Sequence, residues 1–278
     1  MSCIFCGYSC RRISISTDIG ESFFCRQCGG VENLSNKQAY IYTNSYFISN
    51  YDTIIEQQRV FLKKLLSDLD PFVKYKRLLD VGCGTGLLLM EAYIHGYHDS
   101  VGVDISSDAI QIAKKTLAGT DVTIQLSTNP ILDQFGVVAF MDSIAHIENL
   151  DKKISSILSE NLSKDGLLII KTPRFSKLYF YYGMLLGWLL KIVGKSSYVS
   201  NTIFYLPARY YLFTMVALDA FLARHGLSKE FIFVKPEYLR DKSQIVGLKN
   251  RIAYYLLRII PDFLRGGNKS MIIVARKI

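Results

Sequence analysis

Three groups of residues have types and spacing that can do chemistry. The first is the turn LLDVGCGTGLLL, Leu78 to Leu89, in which Gly82, Gly84 and Gly86 follow an apolar run and Asp80 stands at the mouth. Glycine turns of this kind let backbone amides approach a ligand closely, and the usual ligand is phosphate. A carboxylate beside a pyrophosphate is repelled, whereas beside a cation it is attracted. The second is Asp104, 20 residues after Gly84, where a carboxylate can take both hydroxyls of a ribose. The third is a pair of cysteine knuckles, Cys3-x2-Cys6 and Cys25-x2-Cys28, separated by 18 residues.

The glycines form G-x-G-x-G, and the dinucleotide fingerprint G-x-G-x-x-G fails because position 87 is Leu87. With Asp104 the turn predicts an adenosine cofactor and leaves NAD open. Asp80 tips the balance toward S-adenosylmethionine, whose ammonium and sulfonium a carboxylate attracts. The cysteine spacing fits four thiolates converging on structural zinc, with disulfides or idle cysteines as the alternatives. Gly7 and the Gly29-Gly30 pair supply the turns such knuckles need, and Cys10 is spare. Cys83, inside the glycine turn, reads as a small buried residue rather than a nucleophile.

These residues need elements to hold them. Short apolar runs at 77–81, 100–104, 122–126, 136–141 and 166–171 alternate with helical patterns at 87–95, 107–117 and 149–162. That alternation predicts an α/β fold with a mostly parallel sheet and helices on both faces, ligands sitting at the carboxyl ends of the strands. Asp80, Gly82, Gly84, Asp104, Met141 and Asp142 then share one rim. Ile54, Ile55, Phe61, Leu62, Leu65, Leu66 and Leu69 recur at helical spacing up to Pro71 and predict a covering helix. The tyrosines of QAYIYTNSYFISNYD before it either line a substrate mouth or pack beneath the zinc module. KEFIFVK (Lys229–Lys235) and SMIIVARK (Ser270–Lys277) read as late strands, the second antiparallel. The expected organisation is a zinc-binding head at 1–35, a linker and covering helix at 36–71, and a catalytic domain at 72–278 with an apolar insertion at about 174–225.

Charge divides the chain. Residues 1–170 carry 15 basic and 19 acidic side chains, whereas 171–278 carry 18 basic and 5 acidic. The last third therefore suits an anionic substrate, nucleic acid or a membrane surface, or is simply well solvated. MSCIFCGYSCRR has no apolar core of a secretory signal, which favours the cytoplasm and reduced cysteines. The apolar run Leu178–Leu190 has 13 residues where a span needs about 20. The insertion therefore reads as a lid over the active site, with Tyr210–Leu222 helical, or as an interfacial helix touching a membrane. The stretch 245–260, with Lys249, Arg251 and Arg258 between aliphatic residues, has basic amphipathic character and is the other candidate for peripheral contact with the inner membrane face.

LLDVGCGTG, VGVDIS (Val101–Ser106), FGVVAFMDSIAHI (Phe135–Ile147) and LSKDGLLIIKTPRF (Leu162–Phe175) together resemble class I S-adenosylmethionine-dependent methyltransferases. The two knuckles followed by SYF narrow the resemblance to bacterial enzymes with an N-terminal zinc-ribbon-like head, often linked to sugar and surface-polysaccharide biosynthesis. The resemblance implies a Rossmann-like seven-stranded sheet plus a small zinc module held by Cys3, Cys6, Cys25 and Cys28. It implies that Gly82, Cys83, Gly84 and Gly86 face the methionine part of the cofactor, Asp80 fixes its amino end and Asp104 holds the ribose. Ile105 would pack on the adenine, and Met141 and Asp142 would close the pocket. Three departures stand out: Ser127 and Thr128 where an adenine-binding acid is usual, Phe135-Gly136 for Phe-Asp, and Ala145-His146 for Glu-His.

Methyl transfer is an in-line displacement, so positioning and desolvation dominate, and a general base adds about 10²–10⁴-fold for a hydroxyl acceptor. His146 is the candidate base; a backbone-bonded histidine at a helix start is the plainer reading. The leading expectation is methylation of a sugar, sugar nucleotide or lipid-linked glycan. RNA methylation and a cofactor-binding scaffold without turnover are the alternatives.

Overall fold

A computed structural model describes residues 2–9, 12–17, 20–34, 55–192, 209–233, 264 and 270–277. The tyrosine-rich stretch 36–51, Cys10 and the basic stretch 245–260 lie outside the described residues.

The head contributes three antiparallel strands, β1 (Arg12–Thr17), β2 (Gly20–Cys25) and β3 (Val31–Asn33). Helix α1 (Ile55–Leu69) buries Leu62, Leu65, Leu66 and Leu69 on one stripe and gives way to a 3-10 turn at Asp70–Phe72, where Pro71 stops it. Then follow β4 (Leu78–Val81), α2 (Leu87–Ile94), β5 (Val101–Asp104), α3 (Ser107–Thr116), β6 (Thr123–Leu126) and β7 (Phe135–Met141). A 3-10 turn at Ile144–His146 leads to α4 (Leu150–Ser156), which passes into a π-helical turn at Ile157–Asn161. The chain continues as β8 (Leu162–Phe175), α5 (Lys177–Ile192), β9 (Tyr211–Thr214), α6 (Met215–Arg224), β10 (Leu227–Phe233) and β11 (Ser270–Lys277).

Strands β6-β5-β4-β7-β8 are parallel neighbours, and β11 then β10 extend the sheet antiparallel beyond β8. This is the expected Rossmann-like arrangement. Its central strands β4, β5 and β7 are apolar except for Asp80 and Asp104, because both faces are covered. Successive residues of β4 divide between the two cores: Leu78 packs with α1, α2 and α3, and Leu79 with α4 and α6. Gly102 on β5 makes room for α2, since a Cβ there would meet Leu89 at 2.5 Å and Ile124 at 2.7 Å.

Two expectations need correction. Tyr210–Leu222 is not one helix: Tyr211–Thr214 is a strand, and the helix starts at Met215 with the Thr214 hydroxyl accepting from the Ala217 amide. The aromatic run belongs in a sheet because β9 lies between β8 and β3, pairing Phe213 with Arg174 and Leu212 with Val31. The helix expected over 149–162 is α-helical only to Ser156. Through β9 the head's three strands join the carboxyl end of β8, and Phe5, Cys3, Cys25 and Cys28 share one core with Phe213, Leu218 and Phe221 of the α/β half.

Candidate active site and candidate metal centre

At the carboxyl end of β4 the chain must leave the sheet and enter α2 within five residues. It does so through three left-handed glycines, Gly82, Gly84 and Gly86, at φ of 81°, 53° and 82°. Gly82 is also sterically obligatory, since a Cβ would lie 2.4 Å from the Cβ of Ser143. The Ser143 hydroxyl donates to the Val81 carbonyl, which clamps the β7 loop to the glycine turn. Ser143 carries no signal in the sequence, because nothing in its neighbours marks a loop serine as a clamp.

Asp104 ends β5 and braces the same turn. Its Oδ2 accepts from the Gly84 amide and its Oδ1 from the Ser106 amide, both at 2.9 Å. A carboxylate offers about four lone-pair sites, so two acceptor positions stay open toward a ligand. Asp80 is 2% exposed, and its Oδ1 has no hydrogen-bond partner. Burial first, and the Asp104 carboxylate second, push it up to about 8 from the usual carboxylate range. A buried, unpartnered carboxylate beside a second one is a site that a cation would complete.

The remaining predicted residues lie on or beside this rim. Ile105 is 79% exposed, an apolar side chain offered to the rim beside Asp104. Cys83 is buried against Gly102, and burial raises its thiol well above the usual range, which makes it an inert wall. Met141 is half-buried at the end of β7, and Asp142 follows it in the left-handed region at φ 65°. Asp142 is engaged by Lys171 of β8, an ion pair not anticipated from sequence. His146 closes the 3-10 turn and its amide donates to the Ser143 carbonyl at 2.9 Å, so its backbone is fixed three residues from the clamp. The neighbouring Ala145 carbonyl accepts from the Tyr210 amide at 2.9 Å, which brings the segment before β9 to the rim.

Gly136 explains one departure from the family pattern. A Cβ there would lie 1.8 Å from the Tyr75 carbonyl oxygen, so no aspartate fits. The backbone before β4 occupies that space.

The cysteine quartet converges. All four sulfurs lie within 4.8 Å of one another, with Cys3 and Cys28 3.7 Å apart and Cys6 and Cys25 3.8 Å apart. A tetrahedral metal bonded to sulfur at about 2.3 Å has ligand–ligand edges of about 3.8 Å, so the quartet can hold such an ion. The knuckles close through amides of left-handed glycines, Gly7 donating to Cys3 and Gly29 to Cys25. The α/β half secures them: Lys177 donates to the Arg26 and Gln27 carbonyls at 2.8 and 2.7 Å, Thr214 to the Cys28 carbonyl, and Arg224 to the Ile4 carbonyl.

The sequence matches the methyltransferase-domain family over residues 54–202, more than half of the chain. The chain belongs to this family. That stretch is a class I S-adenosylmethionine-dependent methyltransferase domain. Among similar curated proteins, the ribosomal protein L11 methyltransferase of Geobacter metallireducens is 36% identical over 97 residues, covering 34% of this chain and 31% of that protein. The magnesium-protoporphyrin O-methyltransferase of Rhodobacter capsulatus is 30% identical over 152 residues, covering 52% of this chain and 64% of that protein. The chain thus spans between about a third and two thirds of the length of these relatives. Among solved structures, the geranyl diphosphate C-methyltransferase of Streptomyces coelicolor superposes with a TM-score of 0.54 at 14% identity, covering 83% of this chain and 85% of that one. The likeness is one of fold.

Proposed function

We propose that the protein transfers a methyl group from S-adenosylmethionine to a hydroxyl or carbon of a sugar, a sugar nucleotide or a lipid-linked glycan. The observation that carries the cofactor half is the pair Asp80 and Asp104 around a left-handed glycine turn. S-adenosylmethionine would supply an electrophilic methyl on a sulfonium. Asp80 is suited to hold its amino end, Asp104 its ribose hydroxyls through the open lone pairs, and Ile105 and Met141 its adenine and pocket wall. Gly82, Cys83, Gly84 and Gly86 form the close wall along the methionine part, and Asp142, held by Lys171, closes the far side. His146, on the loop after β7, is the proposed general base for a hydroxyl acceptor, worth about 10²–10⁴-fold.

The proposed head metal is zinc, held by Cys3, Cys6, Cys25 and Cys28. Four protein thiolates would leave it no open position, so its role is structural. The head and catalytic domain, divided near residue 35 and joined by the stretch to 71, would act as one body because β3 and β9 pair. The acceptor class rests on the resemblance of a cysteine-headed methyltransferase to surface-polysaccharide enzymes. A comparison of cell-surface glycans by mass spectrometry, with and without the gene, tests it. Loss of one methyl group from a glycan is expected; unchanged glycans together with lost methylation of RNA or ribosomal protein would transfer the assignment to a macromolecular acceptor.

A further inference from the structure

Helix α5 has apolar residues all round. On one side Tyr179 and Phe180 are buried in a cluster with Phe24 and Val31 of the head, with Phe24 stacked on Phe180 at 3.8 Å between ring centroids. On the other, Leu178, Tyr181, Met184, Leu185, Trp188 and Leu189 are exposed, from 39% for Met184 to 66% for Leu178. At about 100° per residue these six fall on one continuous arc, and from Leu178 to Leu189 they run about 16 Å along the axis. From Leu178 to Leu189 no charged residue interrupts that arc; Lys177, one turn before Tyr181 on the same face, opens it and donates to the head carbonyls of Arg26 and Gln27. A helix apolar on every side requires cover on every side, and an exposed stripe of this kind marks an interaction surface.

We infer that this face of α5 seats in the headgroup region of an anionic lipid bilayer. Three observations choose lipid as the occupant. The helix, 16 residues long, is about 24 Å and falls short of the roughly 30 Å of a bilayer core, and no helix among the described residues is long and apolar enough to cross a membrane. It is therefore suited to lie in the interface. Trp188 and Tyr181 sit within the arc, and these amphipathic rings favour the membrane–water boundary. Charge in the sequence around the helix is of the matching sign as well: residues 166–218 carry six basic and no acidic side chains, Lys177 and Lys191 among them on the helix itself. The helix leaves directly from the carboxyl end of β8, the same edge of the sheet on which Asp142 and Lys171 sit. The inference holds for any acceptor, so vesicle binding and methyl transfer fail or succeed separately.

Trp188 is the chain's single tryptophan and reports on this face alone. The full-length protein is titrated with vesicles of phosphatidylcholine and phosphatidylglycerol, and with phosphatidylcholine alone. A blue shift of Trp188 emission and quenching by acyl-brominated lipid are expected on the anionic vesicles, with much weaker binding to the neutral ones. Leu185→Glu should lower vesicle affinity at least tenfold, roughly the loss of one buried leucine, and leave the melting temperature and S-adenosylmethionine affinity unchanged. Leu185→Phe should retain binding. The inference is overturned by absent vesicle binding, equal binding to neutral vesicles, or no quenching by brominated lipid. It is equally overturned if Leu185→Glu binds like the wild type, or if Trp188 is already shielded without vesicles, as a second copy on this face would produce.

Discussion

Replacing Asp80 by asparagine keeps the shape of a 2% exposed side chain and removes its titration. Burial and the neighbouring Asp104 push Asp80 from 3.8 up to about 8, so without ligand it holds a proton through most of the neutral range. A cation beside it favours the carboxylate, and binding S-adenosylmethionine must therefore expel that proton. Each pH unit below about 8 makes the ionised form about tenfold rarer, at about 1.4 kcal/mol per unit. Affinity should climb about tenfold per unit between about pH 6 and 8 and flatten above, as far down as the bound-state value allows. For stability the sign is the reverse of a salt-bridged aspartate: the native state keeps a proton that the unfolded chain loses near 3.8. Ligand-free stability therefore falls as pH rises from about 4 to about 8, with a ceiling of roughly 6 kcal/mol. Titration calorimetry at about pH 6.5 in two buffers of different ionisation enthalpy counts the protons, one expelled in the wild type beyond the number in Asp80→Asn. Asp80→Asn should also melt higher than the wild type at about pH 8 and not at about pH 4. A wild-type affinity that is flat across this range, with the same proton count as the variant, would refute the reasoning.

Other substitutions probe the rest of the site. Gly82→Ala combines a φ of 81° with a Cβ 2.4 Å from Ser143, and should cost about 1–3 kcal/mol in thermal or urea unfolding and weaken cofactor binding. Gly136→Ala drives a methyl into the Tyr75 carbonyl and should destabilise the protein with little effect on cofactor affinity per folded molecule, as checked by denaturant unfolding beside calorimetry. Chelation, or Cys28→Ser, should release one zinc per chain and lower the melting temperature of the catalytic half as well, because Cys28 and Phe213 share a core; release without any change in melting would contradict the shared core. His146→Ala should lower kcat by about 10²–10⁴-fold with cofactor affinity retained; an unchanged rate would remove it as the base.

Much of this was readable in the chain. The alternation that placed β4, β5, β7 and β11 is local, and the last strand runs from Ser270 to Lys277 as its pattern reads. The glycine turn, Asp104 and the cysteine quartet were legible because each demands a residue type at a fixed spacing. What the sequence hid was non-local. The union of Val31 with Leu212 spans most of the chain, and no local pattern marks Tyr-Leu-Phe-Thr as a strand that needs β3 beside it. The Ser143 clamp and the Asp142–Lys171 pair depend on the sheet bringing distant loops together. Gly136 reads in sequence as a lost aspartate, and only the fold brings the Tyr75 carbonyl into the space its side chain would need. Helix α5 was ambiguous for another reason: with apolar residues on every side, periodicity cannot tell the buried face from the exposed one.

The central claim is that the turn after β4 and the acid ending β5 form one S-adenosylmethionine site. Calorimetric titration of the wild type and Asp104→Ala tests it most directly. Asp104 offers two further hydrogen bonds from a charged acceptor at about 1.5–3 kcal/mol each, so the variant should bind at least about 100-fold more weakly. Equal affinity in the two proteins, or a wild type that prefers NAD to S-adenosylmethionine, would contradict it.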